Sequence, residues 1–264
     1  MSFEFGFIGC GNMGGALASA CLKAVDGKKI AVCDFDETKV KKFAGDGATP
    51  SSADEIAKDA KFIVLGVKPQ VMESAVGAIK ESLQSRKDAV IVTMGAGVSI
   101  SAIRTFAGAN LPVIRIMPNT PVLVGEGMIL YCTDGVSSAD EQAFLDGFVC
   151  AGKFDKIPES EIDAGSALSG CGPAFVYAFA KALSEGAIAC GVPKDKALSY
   201  ATQTMRGAAT MLDTYGQPDV LIKNVCSPGG TTIEGIKWLD SEGFDQVTAG
   251  AVKASYKRTL ELKK

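Results

Sequence analysis

The residues able to do chemistry fall in two places along this sequence. Gly9, Gly11 and Gly14 form a Gly-x-Gly-x-x-Gly run directly after the apolar FGFI, and Asp34 follows twenty positions beyond the last glycine. An apolar strand, a glycine turn, a helix and a later acid, in that order, make a dinucleotide site. Gly9 permits the tight turn, Gly11 lets the backbone approach a pyrophosphate, and Gly14 lets helix and strand pack closely. The anion would rest on the free N–H groups at the helix start, where the macrodipole favours negative charge. Ile8, Gly9, Cys10, Gly11, Asn12, Met13 and Gly14 are the residues expected around it. A carboxylate at Asp34 suits the ribose hydroxyls and repels a 2′-phosphate, which leans towards NADH. Lys39, Lys41 and Lys42 follow closely and are able to neutralise a phosphate, so NADPH stays open. Two more apolar runs end in Gly66-Val67-Lys68-Pro69 and Met94-Gly95-Ala96-Gly97. Ligands sit at the carboxyl ends of parallel strands, so these residues are expected at the same cofactor.

The second place is NVCSPGGTTIEGIKWLD, residues 224–240. Pro-Gly-Gly breaks a helical region at a cost of ~1 kcal/mol per glycine and ~3 for proline relative to alanine. Thr231, with Glu234 three residues on, has the spacing of a capping box that restarts a helix. Thr232 is then left free in the first turn, beside unpaired backbone N–H groups. That is a place for a small carboxylate, with the Thr232 hydroxyl able to bond a second atom of the same molecule.

Composition excludes several chemistries. The 264 residues contain no histidine, which rules out an imidazole base and weighs against a zinc enzyme. Eight cysteines are scattered without a CxxC pair and read as reduced thiols of a cytoplasmic protein. The net charge of −3 carries no run of like charges, so neither a nucleic acid nor a membrane surface is an expected partner. The start, MSFEFGFIG, has neither a basic segment nor a long apolar stretch, which reads against a signal peptide.

Short apolar runs alternate with amphipathic ones as far as residue 157. That rhythm predicts a doubly wound parallel sheet with crossover helices, a Rossmann-type α/β domain over residues 1–157. Strands are expected at Glu4–Ile8, Lys29–Cys33, Phe62–Val67, Ala89–Met94, Val113–Met117, Met128–Thr133 and Lys153–Ile157. Residues 158–264 contain no strand-like run and read as an all-helical domain. Its helices are expected at Pro173–Cys190, Pro193–Thr214, Pro218–Val225, Thr232–Ser241 and Phe244–Leu262. The first has only Lys181 and Glu185 as charges, four apart on one face. A helix apolar nearly all round must be buried nearly all round, and a second subunit is the expected cover.

The segment from Val225 to Asp240 resembles the signature of the pyrroline-5-carboxylate reductases. FIGCGNMG, GVKPQ at 66–70, GAGVS at 95–99, MPNTP at 117–121 and LSGCGPAFVY at 168–177 extend the likeness along the chain. The resemblance implies NAD(P)H-dependent reduction of 1-pyrroline-5-carboxylate to L-proline, the last step of proline biosynthesis. It also implies a C-terminal dimerisation domain that builds a homodimer or a larger ring of dimers. Carried over by position, Ser227, Gly229, Gly230 and Thr231 would hold the substrate carboxylate. Thr232 would bond the ring nitrogen as the catalytic residue, and Asn224 and Glu159 would lie near the pocket. No metal is implied. Many relatives have a small or polar residue where Asp34 stands, which is the departure bearing on the cofactor. One rival is a β-hydroxyacid dehydrogenase, whose acid–base lysine sits on the first helix after the boundary, where this chain offers only Lys181. Another is a nicotinamide-sensing regulator without catalysis, against which the second pocket of SPGGTT counts.

Overall fold

The computed structural model describes residues 3–262. Strand β1 (Phe3–Ile8) leads into α1 (Asn12–Cys21), β2 (Ile30–Cys33), α2 (Glu37–Gly45), the short β3 (Thr49–Pro50), α3 (Ala53–Asp59) and β4 (Ala60–Leu65). There follow α4 (Met72–Ala78), α5 (Lys80–Gln84), β5 (Val90–Thr93), α6 (Ile100–Ala107) and β6 (Val113–Met117). Then come β7 (Gly127–Asp134), α7 (Ser138–Gly147) and β8 (Gly152–Lys156), the last strand. The helices α8 (Glu159–Ser169), α9 (Gly172–Ala189), α10 (Lys194–Tyr215), α11 (Pro218–Val225), α12 (Thr231–Ser241) and α13 (Phe244–Leu262) complete the chain.

The eight strands form one sheet in the order β3-β2-β1-β4-β5-β6-β7-β8. Strands β1 to β6 are parallel, whereas β7 runs antiparallel to β6 and β8 parallel to β7. The sheet is therefore mixed rather than wholly parallel. A parallel return needs a crossover of a dozen or more residues. Between β6 and β7 there is only a 3₁₀ turn at Thr120–Val124, closed by Gly125, so the chain reverses. Asn119 is buried at this turn and ties it to β7 and to the end of α8. Its Oδ1 accepts from the Met128 N–H at 2.9 Å, and its Nδ2 donates to the Ser169 carbonyl at 2.9 Å.

Alternate strand residues supply two cores, one on each face. Phe5, Phe7, Phe62, Val64, Val92 and Ile116 pack with α1, α2 and α7 through Leu17, Phe43, Phe144 and Phe148. Ile8, Ile63, Leu65, Ile91 and Val113 pack with α3, α4, α5, α6 and α8 through Ile56, Met72, Leu83, Ile103 and Ile162. Burial on both faces is why these strands read as continuous apolar runs.

Two compact units make up the chain. One holds the sheet and its helices through Cys171, with the residues from Ser255 on; the other is Gly172–Ala254. The strands end at Lys156, but α8 belongs with the sheet because Ile162 is part of its core and Asp163 pairs with Arg115 of β6. Helix α8 has no counterpart among the expected elements: EIDAGSALS mixes acids and small residues and carries little apolar stripe.

In the second unit α9 spans the expected range within a residue, and Lys181 pairs with Glu185 at 3.7 Å. The single chain leaves this helix largely uncovered, as expected of a face that a second subunit would bury. Ser184 is the buried residue of α9, while Val176, Tyr177, Phe179 and Leu183 are exposed. No described helix is long and apolar enough to cross a membrane.

Candidate active site

The cofactor candidates converge on one edge of the sheet. Ile8, Asp34, Gly66 and Met94 each follow or end one of β1, β2, β4 and β5, all parallel, so their loops leave the sheet on the same side. The strand order reverses between β1 and β4, and ligands of open α/β sheets bind at such a switch point. Gly9 turns the chain there with φ +96°. Its N–H donates to the Cys33 carbonyl at 2.8 Å, and Gly66 N–H donates to Ile8 O at 2.8 Å. Side chains at Gly14 or Gly66 would collide with the Gly9 carbonyl, so three glycine backbones pack against one another.

Helix α1 begins at Asn12, and Gly11 is its N-cap without any side-chain hydrogen bond. A Cβ built on Gly11 meets nothing within 4 Å. The first-turn N–H groups, including Asn12 and Met13, thus open onto unfilled space, the cradle a diphosphate requires. These residues fit the phosphates of a dinucleotide.

Asp34 is positioned differently from the expectation of a carboxylate free for the ribose. Its Oδ2 accepts from the Cys10 N–H at 2.6 Å and its Oδ1 from the Asp36 N–H at 2.9 Å. Lys39 Nζ lies 3.6 Å from Oδ1 and 3.7 Å from Asp36. Asp34 is a clasp on the glycine loop first, and its remaining lone pairs are what a ribose would meet. Burial, reinforced by Asp34, pushes the Cys10 thiol up to about 12, so it stays protonated at neutral pH.

Val67 and Lys68 follow β4, with Lys68 exposed in an extended conformation ahead of Pro69. Met94, Gly95 and Ala96 follow β5 in a turn in which Val98 N–H donates to Gly95 O at 3.1 Å. Ser99 then caps α6 through the Ala102 N–H.

Glu159 lies in the sheet unit, at the start of α8. Its Oε1 accepts from the Ile100 N–H at 2.8 Å and from Arg115 Nη1 at 3.2 Å. Arg115 Nη2 reaches Asp163 at 2.7 Å, and both of those side chains are buried. Glu159 borders a cavity of about 540 Å³ that Cys132, Asp134 and Lys156 also line. Arg115 and Asn119 were not expected at the site. Their signals were a charge inside the apolar VIRIM and an amide two residues after it, beyond Pro118.

The other candidates belong to the helical unit. Ser227–Gly230 is a tight turn between α11 and α12, with Gly230 N–H donating to Ser227 O at 3.0 Å. Gly229 has φ +70°, a conformation strained for any L side chain. Gly230 is the extended N-cap of α12, and no side chain caps the helix. The expected capping box at Thr231 is therefore corrected. Thr231 is already the first helical residue, and Glu234 turns instead to Lys237 Nζ at 2.7 Å. The cause is geometric: a left-handed glycine followed by an extended one completes the turn a residue early. Both threonines consequently sit in the first turn, beside N–H groups that no side chain fills. Thr232 and Asn224 line one cavity of about 470 Å³, whose walls are otherwise apolar and include Leu212, Leu221, Val225 and Ile236. Ser227, Gly229 and Thr231 are exposed beside it.

Lys181, the lysine a β-hydroxyacid dehydrogenase would use, is mostly exposed and paired with Glu185. Among the described residues no three His, Cys, Asp or Glu side chains form a metal-holding group.

A family model described as pyrroline-5-carboxylate reductase dimerisation matches residues 159–262. One described as NADP oxidoreductase coenzyme F420-dependent matches residues 4–97. The chain is 35% identical over 267 residues to the pyrroline-5-carboxylate reductase of Arabidopsis thaliana, covering 99% of this chain and 96% of that one. It is 34% identical over 272 residues to the pyrroline-5-carboxylate reductase of Escherichia coli K12, covering 100% of each. The crystal structure of Plasmodium falciparum pyrroline carboxylate reductase with NADP bound matches at TM-score 0.87 and 30% identity, over 99% of this chain and 98% of that one.

Proposed function

The chain belongs to the pyrroline-5-carboxylate reductase family, and we propose that it reduces the C=N bond of 1-pyrroline-5-carboxylate to give L-proline. The observation that carries this reading is the uncapped start of α12, with two threonines in its first turn and an apolar cavity at Thr232. The substrate is a small anion with an apolar ring and one polar ring atom, and that set of groups answers it.

In this reading the carboxylate sits on the α12 N–H groups with Ser227, Gly229, Gly230 and Thr231 around it. The macrodipole favours the anion there, and the Gly229–Gly230 turn keeps the approach clear of side chains. The Thr232 hydroxyl holds the ring nitrogen and relays its proton. A protonated imine is already electrophilic, so a weak acid suffices and orientation carries most of the rate. Bound NAD(P)H supplies the hydride that C5 accepts. Ile8 to Gly14 hold the diphosphate, and Gly66 to Pro69 with Met94 to Ala96 border the nicotinamide end. Asn224 shapes the pocket from α11.

We further read the cofactor preference as leaning to NADH, because the Asp34 and Asp36 carboxylates both stand at the end of β2. Lys39 is held between them and offers a 2′-phosphate only a shared charge. The exposed apolar face of α9 supports a homodimer, assembled in our reading into a ring of dimers. All eight cysteines are free, which supports a cytoplasmic enzyme. The test is a steady-state assay of cofactor oxidation with 1-pyrroline-5-carboxylate. Turnover with NADH or NADPH and no added metal is expected. No turnover with either overturns the reading.

A further inference from the structure

Phe35 is 106% exposed, more than any other large apolar side chain among those described as exposed; Val124 follows at 74%. A phenyl ring left in water forgoes the free energy of burial. It is not loose. Asp34, whose side chain is 12% exposed, is tied to the Cys10 N–H on one side and accepts from the Asp36 N–H across Phe35. Asp36 in turn caps α2 through the Thr38 N–H at 3.0 Å. Two hydrogen-bonded aspartates therefore flank the ring on a fixed bend, two residues beyond β2.

That position is at the adenosine end of a doubly wound sheet, because the acid closing β2 faces the ribose. An adenine has a flat π face and no charge, and an exposed phenyl ring is its stacking partner. We propose that Phe35 stacks on the adenine of the bound dinucleotide and is a specificity-determining residue for the adenosine half. The inference rests on the nicotinamide-dinucleotide reading of the glycine loop. It separates two jobs on neighbouring residues: Asp34 fixes the loop and the ribose side, while Phe35 holds the base.

The test compares wild type with Phe35→Ala and Phe35→Trp, using ADP-ribose as a binding probe and NADH and reduced nicotinamide mononucleotide as hydride donors. Phe35→Ala is expected to weaken ADP-ribose binding and raise KM for NADH by roughly 5- to 150-fold, the range for losing one base–aromatic stack. Its kcat at saturating NADH, its melting temperature and its kcat/KM with the mononucleotide, which has no adenine, stay at wild-type values. Phe35→Trp restores ADP-ribose affinity. Unchanged ADP-ribose affinity in Phe35→Ala, with or without a change in assembly size, overturns the proposal, as does an equal loss with the mononucleotide. Failure of the wild-type protein to bind ADP-ribose or NADH overturns the dinucleotide reading and this inference with it.

Discussion

The Asp34 carboxylate receives the Cys10 N–H at 2.6 Å, so the acid at the end of β2 and the glycine loop after β1 are one hydrogen-bonded unit. A single side chain therefore holds the shape of the glycine loop and, in the proposed reading, sets the charge facing the ribose. Replacing it has two separable effects.

Asp34→Asn keeps one carbonyl acceptor and removes the charge. Repulsion between unit charges ~4 Å apart in water is about 1 kcal/mol. The ratio of kcat/KM for NADPH over NADH is accordingly expected to rise about fivefold or more. Asp34→Ala removes the acceptor as well, and KM is expected to rise for both cofactors. An unmoved ratio in both variants would show that Asp34 faces the loop alone.

Arg115→Met tests the pairing of β6 with α8. It would leave the buried Asp163 carboxylate without its 2.7 Å guanidinium partner and free Glu159 from its second contact. Removing one partner of a buried ion pair costs ~3–5 kcal/mol. Urea unfolding is expected to show a loss of that size, and a loss below ~1 kcal/mol would contradict the assignment.

Glu141 gives the fold a pH dependence. The hydrogen bond from Lys156 Nζ at 2.7 Å, with another from Tyr131 Oη at 2.9 Å, holds its carboxyl below the ordinary carboxylate range. A lowered folded pKa means the stabilisation is present above the unfolded pKa near ~4.3 and is lost as pH falls through the folded value. Glu141→Gln is expected to be less stable than wild type by up to ~1 kcal/mol at neutral pH. The two unfolding curves should converge in acid below the folded pKa. A gap that persists there would mean that packing, not charge, sets the difference.

The exposed Tyr177 and Phe179 on α9 predict self-association. Light scattering at micromolar concentration is expected to give at least a dimer, and Tyr177→Glu to shift the protein towards monomer. A wild-type monomer would refute the association.

Much of this was legible in the residues themselves. Double-sided burial wrote β1, β2, β4, β5 and β6 as apolar runs, and Gly-x-Gly-x-x-Gly with Asp34 pointed to the sheet edge where the cofactor candidates converge. The reversal at β7 was hidden because β7 alternates nothing that distinguishes parallel from antiparallel pairing; only the short 3₁₀ link at Thr120–Val124 decides it. Arg115 stood out as a charge in a strand, but its partner Asp163 lies 48 residues away. The start of α12 was misplaced by one residue because Thr-x-x-Glu spacing matches a capping box whatever the backbone does. The φ values of Gly229 and Gly230, not the residue types, settled which residue caps.

That correction changes what the two threonines predict. Thr231 caps nothing and is exposed, so Thr231→Ala is expected to change stability by no more than about 0.5 kcal/mol in urea unfolding. A loss of ~1 kcal/mol or more would restore the capping role.

The central claim, that the loop before α12 is a substrate site and not only a helix break, comes down to the hydroxyl of Thr232. Valine at 232 keeps the shape of the side chain and removes the hydrogen bond. The deciding measurement is kcat/KM for 1-pyrroline-5-carboxylate in Thr232→Val beside wild type, at saturating cofactor. Loss of one oriented hydrogen bond in a closed site is worth roughly 2–4 kcal/mol, so a fall of ~30- to 1000-fold with unchanged unfolding is predicted. A Thr232→Val enzyme with wild-type kcat/KM would contradict the account.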